Sequence, residues 1–99
     1  KYAAEIITQK GRVYKFDDIS CMAHYCKENA NTKIGAYYVS DFAQDNNLIP
    51  AETAFFLSGG DIQSPMHGGI IAFSNEKEAQ EFGTKLDAKP IKWEAIIKK

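Results

Sequence analysis

The chain has no apolar run approaching the roughly 20 residues that a membrane-spanning helix needs, and it has no basic stripe. Its 12 Lys and Arg residues stand against 13 Asp and Glu, leaving a net charge of −1 with both signs interspersed. Without a basic stripe of the kind that neutralises phosphates, nucleic acid is a poor partner. Cysteine is scarce. Cys21 and Cys26 lie five apart in a helix-patterned segment, and a rise of about 1.5 Å per residue puts their Cα atoms beyond the ~7 Å that a disulfide spans. Two unbridged thiols do not fix a redox compartment. Gly59-Gly60 is not a phosphate cradle, because neither a helix start nor a Lys follows at the needed spacing. No signal peptide or acylation motif is visible. The chain begins Lys-Tyr-Ala rather than with Met, and we expect it to be processed or a piece of a longer protein, so the missing targeting signals say little about the full length.

What is present fits a folded domain. A 44% hydrophobic share beside 25% charged residues argues against disorder. At 99 residues we expect a single domain over 1–99 with a modest core, burying about 60–65% of the unfolded chain's surface. Residues 3–8 read as a strand, Gln9-Lys10-Gly11 as a turn and 12–16 as the returning strand with period-two alternation. Asp17 and Asp18 are N-cap candidates, ahead of a one-face stripe of Ile19, Met22, Ala23 and Cys26 that ends at Lys27–Asn31. Ala36–Val39 with Phe42 suggests a third strand, Gln44–Pro50 a polar loop, and Ala54–Leu57 a fourth strand broken by Ser58–Asp61. Gly69–Phe73 reads as a fifth. Asn75 with Glu78 opens a second helix whose stripe is Ala79, Phe82, Gly83 and Leu86, and Pro90 closes that unit. Ile91–Ile97 fits either a strand or a short helix.

The two halves echo each other. Val13–Asp18 leads into a helix carrying Met22 and Tyr25, and Ile70–Asn75 leads into one carrying Ala79 and Phe82 at the same offsets. The fold class expected is therefore α+β: two strand-strand-helix units whose helices pack on a shared, mostly antiparallel sheet, in two layers.

The stretch with most chemical character is Ser64-Pro65-Met66-His67-Gly68-Gly69. It sets a thioether and an imidazole side by side on a turn stiffened by proline and opened by glycine. Both are ligand types that a soft monovalent copper ion accepts at low coordination number. Met66 needs no deprotonation to bind and cannot be lost to a disulfide. Its modest affinity suits a carrier that hands its ion on. The plainer alternative is a surface hairpin with a packed Met and a solvated His.

A second cluster, Cys21-Met22-Ala23-His24-Tyr25-Cys26, divides by face. Met22 and Cys26 share the apolar stripe and read as core. Cys21 and His24 lie on another face near the helix start, where the dipole favours a lowered thiol pKa; they could form a metal pair, a thiol with its base, or two unrelated side chains. Asp17 and Asp18 are better explained by capping than as paired acid–base carboxylates, and the aromatics in the strand runs default to core.

Phe16-Asp17-Asp18-Ile19-Ser20-Cys21-Met22 followed by Ser64-Pro65-Met66-His67-Gly68-Gly69-Ile70-Ile71-Ala72-Phe73 resembles the NosL family of copper-delivery lipoproteins that accompany bacterial nitrous oxide reductase. Tyr38-Val39-Ser40-Asp41-Phe42 and Ala51–Leu57 fit the same pattern, in the same order. The resemblance implies paired strand-strand-helix units related to a domain of the organomercurial lyases. It also implies export to the periplasmic side on a lipid anchor, monovalent copper as cargo, and no catalytic activity. Its receiver would be a copper protein such as nitrous oxide reductase or its assembly machinery. It carries a copper-ligand role onto Met66. The other principal family ligand lies in a Cys-x-Met motif that would precede Lys1, so this chain holds half of such a site. His67 stands where the family pattern has Gly, and its ligand role rests on its own chemistry. The rival readings are a metal-free interaction module and a small thiol enzyme using Cys21 and His24.

Overall fold

Alternation in Ala4-Glu5-Ile6-Ile7-Thr8 sends Ala4, Ile6 and Thr8 inward and makes this run the central strand of the first unit. The computed structural model describes residues 2–29, 31–44, 47–60, 62 and 69–97. Strand β1 (Ala4–Thr8) pairs antiparallel with β2 (Val13–Phe16) across the Gly11 turn and with β3 (Ile34–Ser40) on its other side. Helix α1 (Ile19–Glu28) lies between β2 and β3 in sequence. Its N-cap is Asp18, whose Oδ1 accepts from Ser20 N and Ser20 Oγ, both at 2.9 Å. Asp17 does not share that role. The predicted stripe Ile19, Met22, Ala23 and Cys26 is the buried face, and both cysteines are unbridged.

The second unit repeats the pattern. Strand β5 (Phe55–Ser58) is central, flanked by β6 (Ile70–Phe73) and β7 (Lys89–Ile91), both antiparallel. Helix α2 (Glu76–Lys85) follows β6 and is capped by Asn75, which accepts from Lys77 N and Glu78 N. The echo between the halves is therefore a repeated strand-strand-helix-strand unit, in which the strand after the helix returns beside the first.

The α+β expectation holds, but in place of one shared sheet the strands divide between two antiparallel sheets, ordered β2-β1-β3-β4 and β6-β5-β7. The first sheet closes on β4 (Leu48–Pro50), which occupies the free edge of β3. That strand lies within the stretch expected to be a polar loop. At three residues and ending in Pro50 it has no periodicity to read, and it forms because the β3 edge supplies its ladder. A 3-10 turn, Ala51–Thr53, links it to β5. The sheets meet where Asp41 makes a parallel bridge with Ala72 and Phe42 N donates to Ala72 O at 2.8 Å.

Asp41 holds this junction. It is fully buried, its Oδ1 accepts from Ala43 N at 3.0 Å and its Oδ2 from Ser74 Oγ at 2.8 Å. A buried carboxylate without such donors would be costly; here it ties the end of β3 to the end of β6.

The second sheet is covered on both faces. Phe56 and Ala72 belong to the cluster with Ala4, Ile6, Ile19, Met22 and Val39, whereas Leu57, Ile71 and Phe73 pack with Ala79 of α2. Pro90 sits inside β7 opposite Leu57 rather than closing the unit, which an edge strand tolerates because one side of it needs no donor. The ambiguous 91–97 segment splits: Ile91 ends β7, and Trp93–Ile97 forms a short helix α3. Tertiary contact settles this, since Trp93 stacks on Phe56 at 5.6 Å and meets Tyr37 edge-on at 5.1 Å.

Candidate functional site

The connection from β5 to β6 is the place to which the sequence assigns metal chemistry. Met66 and His67 themselves lie outside the described residues, as does Ser64-Pro65-Gly68, so what the structure gives is the frame that carries them. The frame begins with the Ser58–Ile70 register pair and continues in Gly59 N donating to Gly69 O at 3.0 Å. Gly59, Gly60 and Gly69 all take positive φ, at 81°, 60° and 67°. At Gly60 glycine is required twice over. Any β-carbon there would be in a rarely adopted backbone region and would overlap the carbonyl oxygens of Leu86 and Asp87. The loop is thereby seated on the turn between α2 and β7, where Asp87 also has positive φ.

One more anchor follows. Ile62 N donates to Gly59 O at 3.4 Å, and the Ile62 side chain packs against the cluster of Leu57, Ile71, Phe73, Ala79 and Ala88. Ile62, packed on the second core, and Gly69, bonded to Gly59, are the described residues on either side of 63–68. Sequence reasoning took Ser58–Asp61 only as a strand break. The paired glycines were the available signal for a close approach, but which backbone approaches Gly60 is a matter of the α2–β7 turn.

The Cys21–His24 pair does not assemble. His24 Nε2 lies 2.8 Å from Glu28 Oε1, one turn further along an exposed face. Partial burial pushes the Cys21 thiol up from its ordinary value, and the carboxylates of Asp18 and Asp17 push in the same direction. This reverses the expectation of a dipole-lowered pKa: the acidic cap that stabilises the helix start surrounds the thiol with negative charge, which opposes thiolate formation. Among the described residues no three of His, Cys, Asp and Glu gather closely enough to hold a metal ion. Cys26 and Met22 are core residues. Cys21 alkylation is accordingly expected to be slow at neutral pH and to accelerate as pH rises through a thiol pKa above the usual range, with the same profile in His24→Ala. Fast labelling at neutral pH, slowed by that substitution, would reinstate the pair as thiol and base.

The NosL family model matches the chain over residues 1–99. Among solved structures, the crystal structure of the copper chaperone NosL from Shewanella denitrificans superposes with a TM-score of 0.84; the two chains are 21% identical, the alignment covering 97% of this chain and 78% of that one. At that identity the likeness speaks for the fold. No curated protein matches the chain.

Proposed function

The chain belongs to the NosL family, and from that premise we propose that it binds monovalent copper on the β5–β6 loop and delivers it to a receiving protein. The observation that carries this reading is the family match along the whole chain, in which Pro65-Met66-His67 falls in sequence between β5 and β6. The related fold is that of a protein described as a copper chaperone, which supports the same assignment. The loop's frame agrees with it in physical terms. A soft cation held by few ligands gains from a side chain whose backbone is already fixed, because less ordering remains to be done on binding. Gly60, set against the α2–β7 turn, and Ile62, packed on the second core, hold the approach to the Pro65-Met66-His67 segment.

In this reading Met66 is the principal ligand in the chain and His67 an auxiliary one. The copper is cargo, and the protein is not an enzyme. A thioether releases copper more readily than a thiolate does, so transfer to a stronger site needs no chemical step beyond ligand exchange. The full-length protein is exported, tethered by a lipid on the periplasmic side, and its receiver is a copper enzyme such as nitrous oxide reductase or the machinery that assembles it.

A competition titration with a chromophoric copper(I) chelator tests the assignment. Met66→Ala is expected to weaken copper binding by at least about tenfold, equivalent to 1.4 kcal/mol. His67→Ala should weaken it less, and a chain extended upstream by a Cys-x-Met segment should bind more tightly. Unchanged affinity in Met66→Ala would remove the basis for the assignment and leave a metal-free interaction module as the better account of the turn.

A further inference from the structure

The first unit's hairpin, at the position corresponding to the β5–β6 loop of the second, carries a feature that copper delivery does not use. Lys10 and Arg12 on the β1–β2 turn converge with Lys33, from the segment between α1 and β3, around an open recess of about 860 Å³ that the hydroxyl-bearing residues Thr8, Tyr14 and Thr32 also line. Among the described residues no Asp or Glu lines it. The two segments are tied together by Gln9 N donating to Lys33 O at 3.0 Å. The turn itself is held by Thr8, whose backbone donates to Arg12 O at 2.9 Å and whose Oγ1 accepts from Arg12 N at 3.1 Å. The cations are therefore mounted on one stiff backbone assembly.

Their charge is also uncommitted. Among the described residues the ion pairs are Lys15 with Glu5 and His24 with Glu28, so Lys10, Arg12 and Lys33 pair with no carboxylate. Arg12 instead donates weakly to the Tyr14 hydroxyl at 3.5 Å, an interaction that lowers the phenol's pKa and marks the positive field there. In a chain of net charge −1, three unopposed cations in one concavity are a local segregation rather than an overall excess. The sequence hides it, because Lys33 is distant from the hairpin in the chain and no run of basic residues results.

We propose that this recess is a binding site for a phosphate-bearing anion, Arg12, Lys10 and Lys33 supplying the charge and the Thr8, Tyr14 and Thr32 hydroxyls lining it as donors. Planar guanidinium and rotatable ammonium groups suit a tetrahedral oxyanion, and hydroxyls add neutral donors without introducing an acceptor-only group. The phosphate can be carried by a soluble phosphoester or by a lipid headgroup, and the two present the same chemistry to the site.

The test uses the 15N-labelled chain titrated with inorganic phosphate, against sodium chloride at matched ionic strength. Saturable shifts confined to the 8–14 and 31–33 amides are expected, with binding about tenfold weaker in the Arg12→Gln, Lys33→Gln double variant. Both side chains are on exposed residues, so the variant's thermal midpoint should stay close to the parent's and keep the comparison valid. Sedimentation with phosphatidylglycerol vesicles, phosphatidylcholine serving as control, then separates the sources. Capture lost in the double variant identifies a lipid headgroup, and absence of capture alongside saturable phosphate binding identifies a soluble ester. Shifts that chloride reproduces, or phosphate binding unchanged in the double variant, would overturn the proposal. So would saturation by a heptaglutamate peptide where phosphate has no effect, since the recess would then be a docking patch for acidic protein.

Discussion

Phe73→Ala is expected to lower the free energy of unfolding by about 3–5 kcal/mol, against a total of about 5–15 kcal/mol for a domain of ordinary stability. Phe73 ends β6 with its side chain fully buried. It stacks on Phe82 of α2 with centroids 5.2 Å apart and meets Phe42 edge-on at 5.8 Å. Phe42 in turn contacts Phe82 at 5.5 Å and Tyr2 at 5.7 Å. Removing the central ring leaves a cavity that its neighbours fill poorly, because Phe42 is held by its backbone bond to Ala72 and Phe82 by the helix. Both the transfer loss and the residual void contribute. Phe55→Ala, one strand over, is the internal control: that residue is 39% exposed and its loss should cost only about 1–2 kcal/mol. Urea unfolding of the two variants gives the comparison directly. Similar midpoints for both would mean that the aromatic cluster between α2 and β6 does not bear the stability assigned to it.

Gly60→Ala is expected to cost about 3 kcal/mol, combining a strained positive φ with the overlap against Leu86 and Asp87 carbonyl oxygens. Gly59→Ala separates these contributions. Gly59 also has positive φ, yet a β-carbon there meets none of the described residues within 4 Å, so it should cost only about 1–2 kcal/mol from strain. The excess at position 60 measures the seat of the loop on the α2–β7 turn. Because relief of the overlap must lift the loop from that turn, the copper affinity of Gly60→Ala should also fall, with Met66 untouched. Equal destabilisation at the two glycines would mean that the loop is not seated there, and normal copper affinity in Gly60→Ala would show that ligand placement does not depend on that seat.

Much of the architecture was legible because it is local. The strand readings over 3–8 and 12–16 located β1 and β2 within a residue or so, the Ile19-Met22-Ala23-Cys26 stripe is the buried face of α1, and Asp18 and Asn75 are the caps that side-chain chemistry prescribes. The repeated unit showed through Phe16 and Phe73, Met22 and Ala79, Tyr25 and Phe82, since both halves solve the same packing problem with the same spacing. The family resemblance likewise rested on motifs in order, and the match over the full chain bears it out. What escaped was non-local. Leu48–Pro50 is a strand only because β3 offers an edge, Trp93 begins a helix that Phe56 and Tyr37 hold down, and Cys21 is denied an easy thiolate by partial burial together with the nearby carboxylates of Asp18 and Asp17.

The linear chain determined the strand-strand-helix order of each unit, the apolar faces of its helices and their caps, because these depend on neighbours a few residues apart. It left open which surface would cover each apolar face, and the folded molecule decided that. The second sheet became buried on both sides, Asp41 became the clasp between the sheets, and Gly60 met the backbone of the α2–β7 turn. Lys33 was carried to the side of Lys10 and Arg12. Periodicity states that a face must be covered, but only the meeting of distant segments supplies the atoms that cover it.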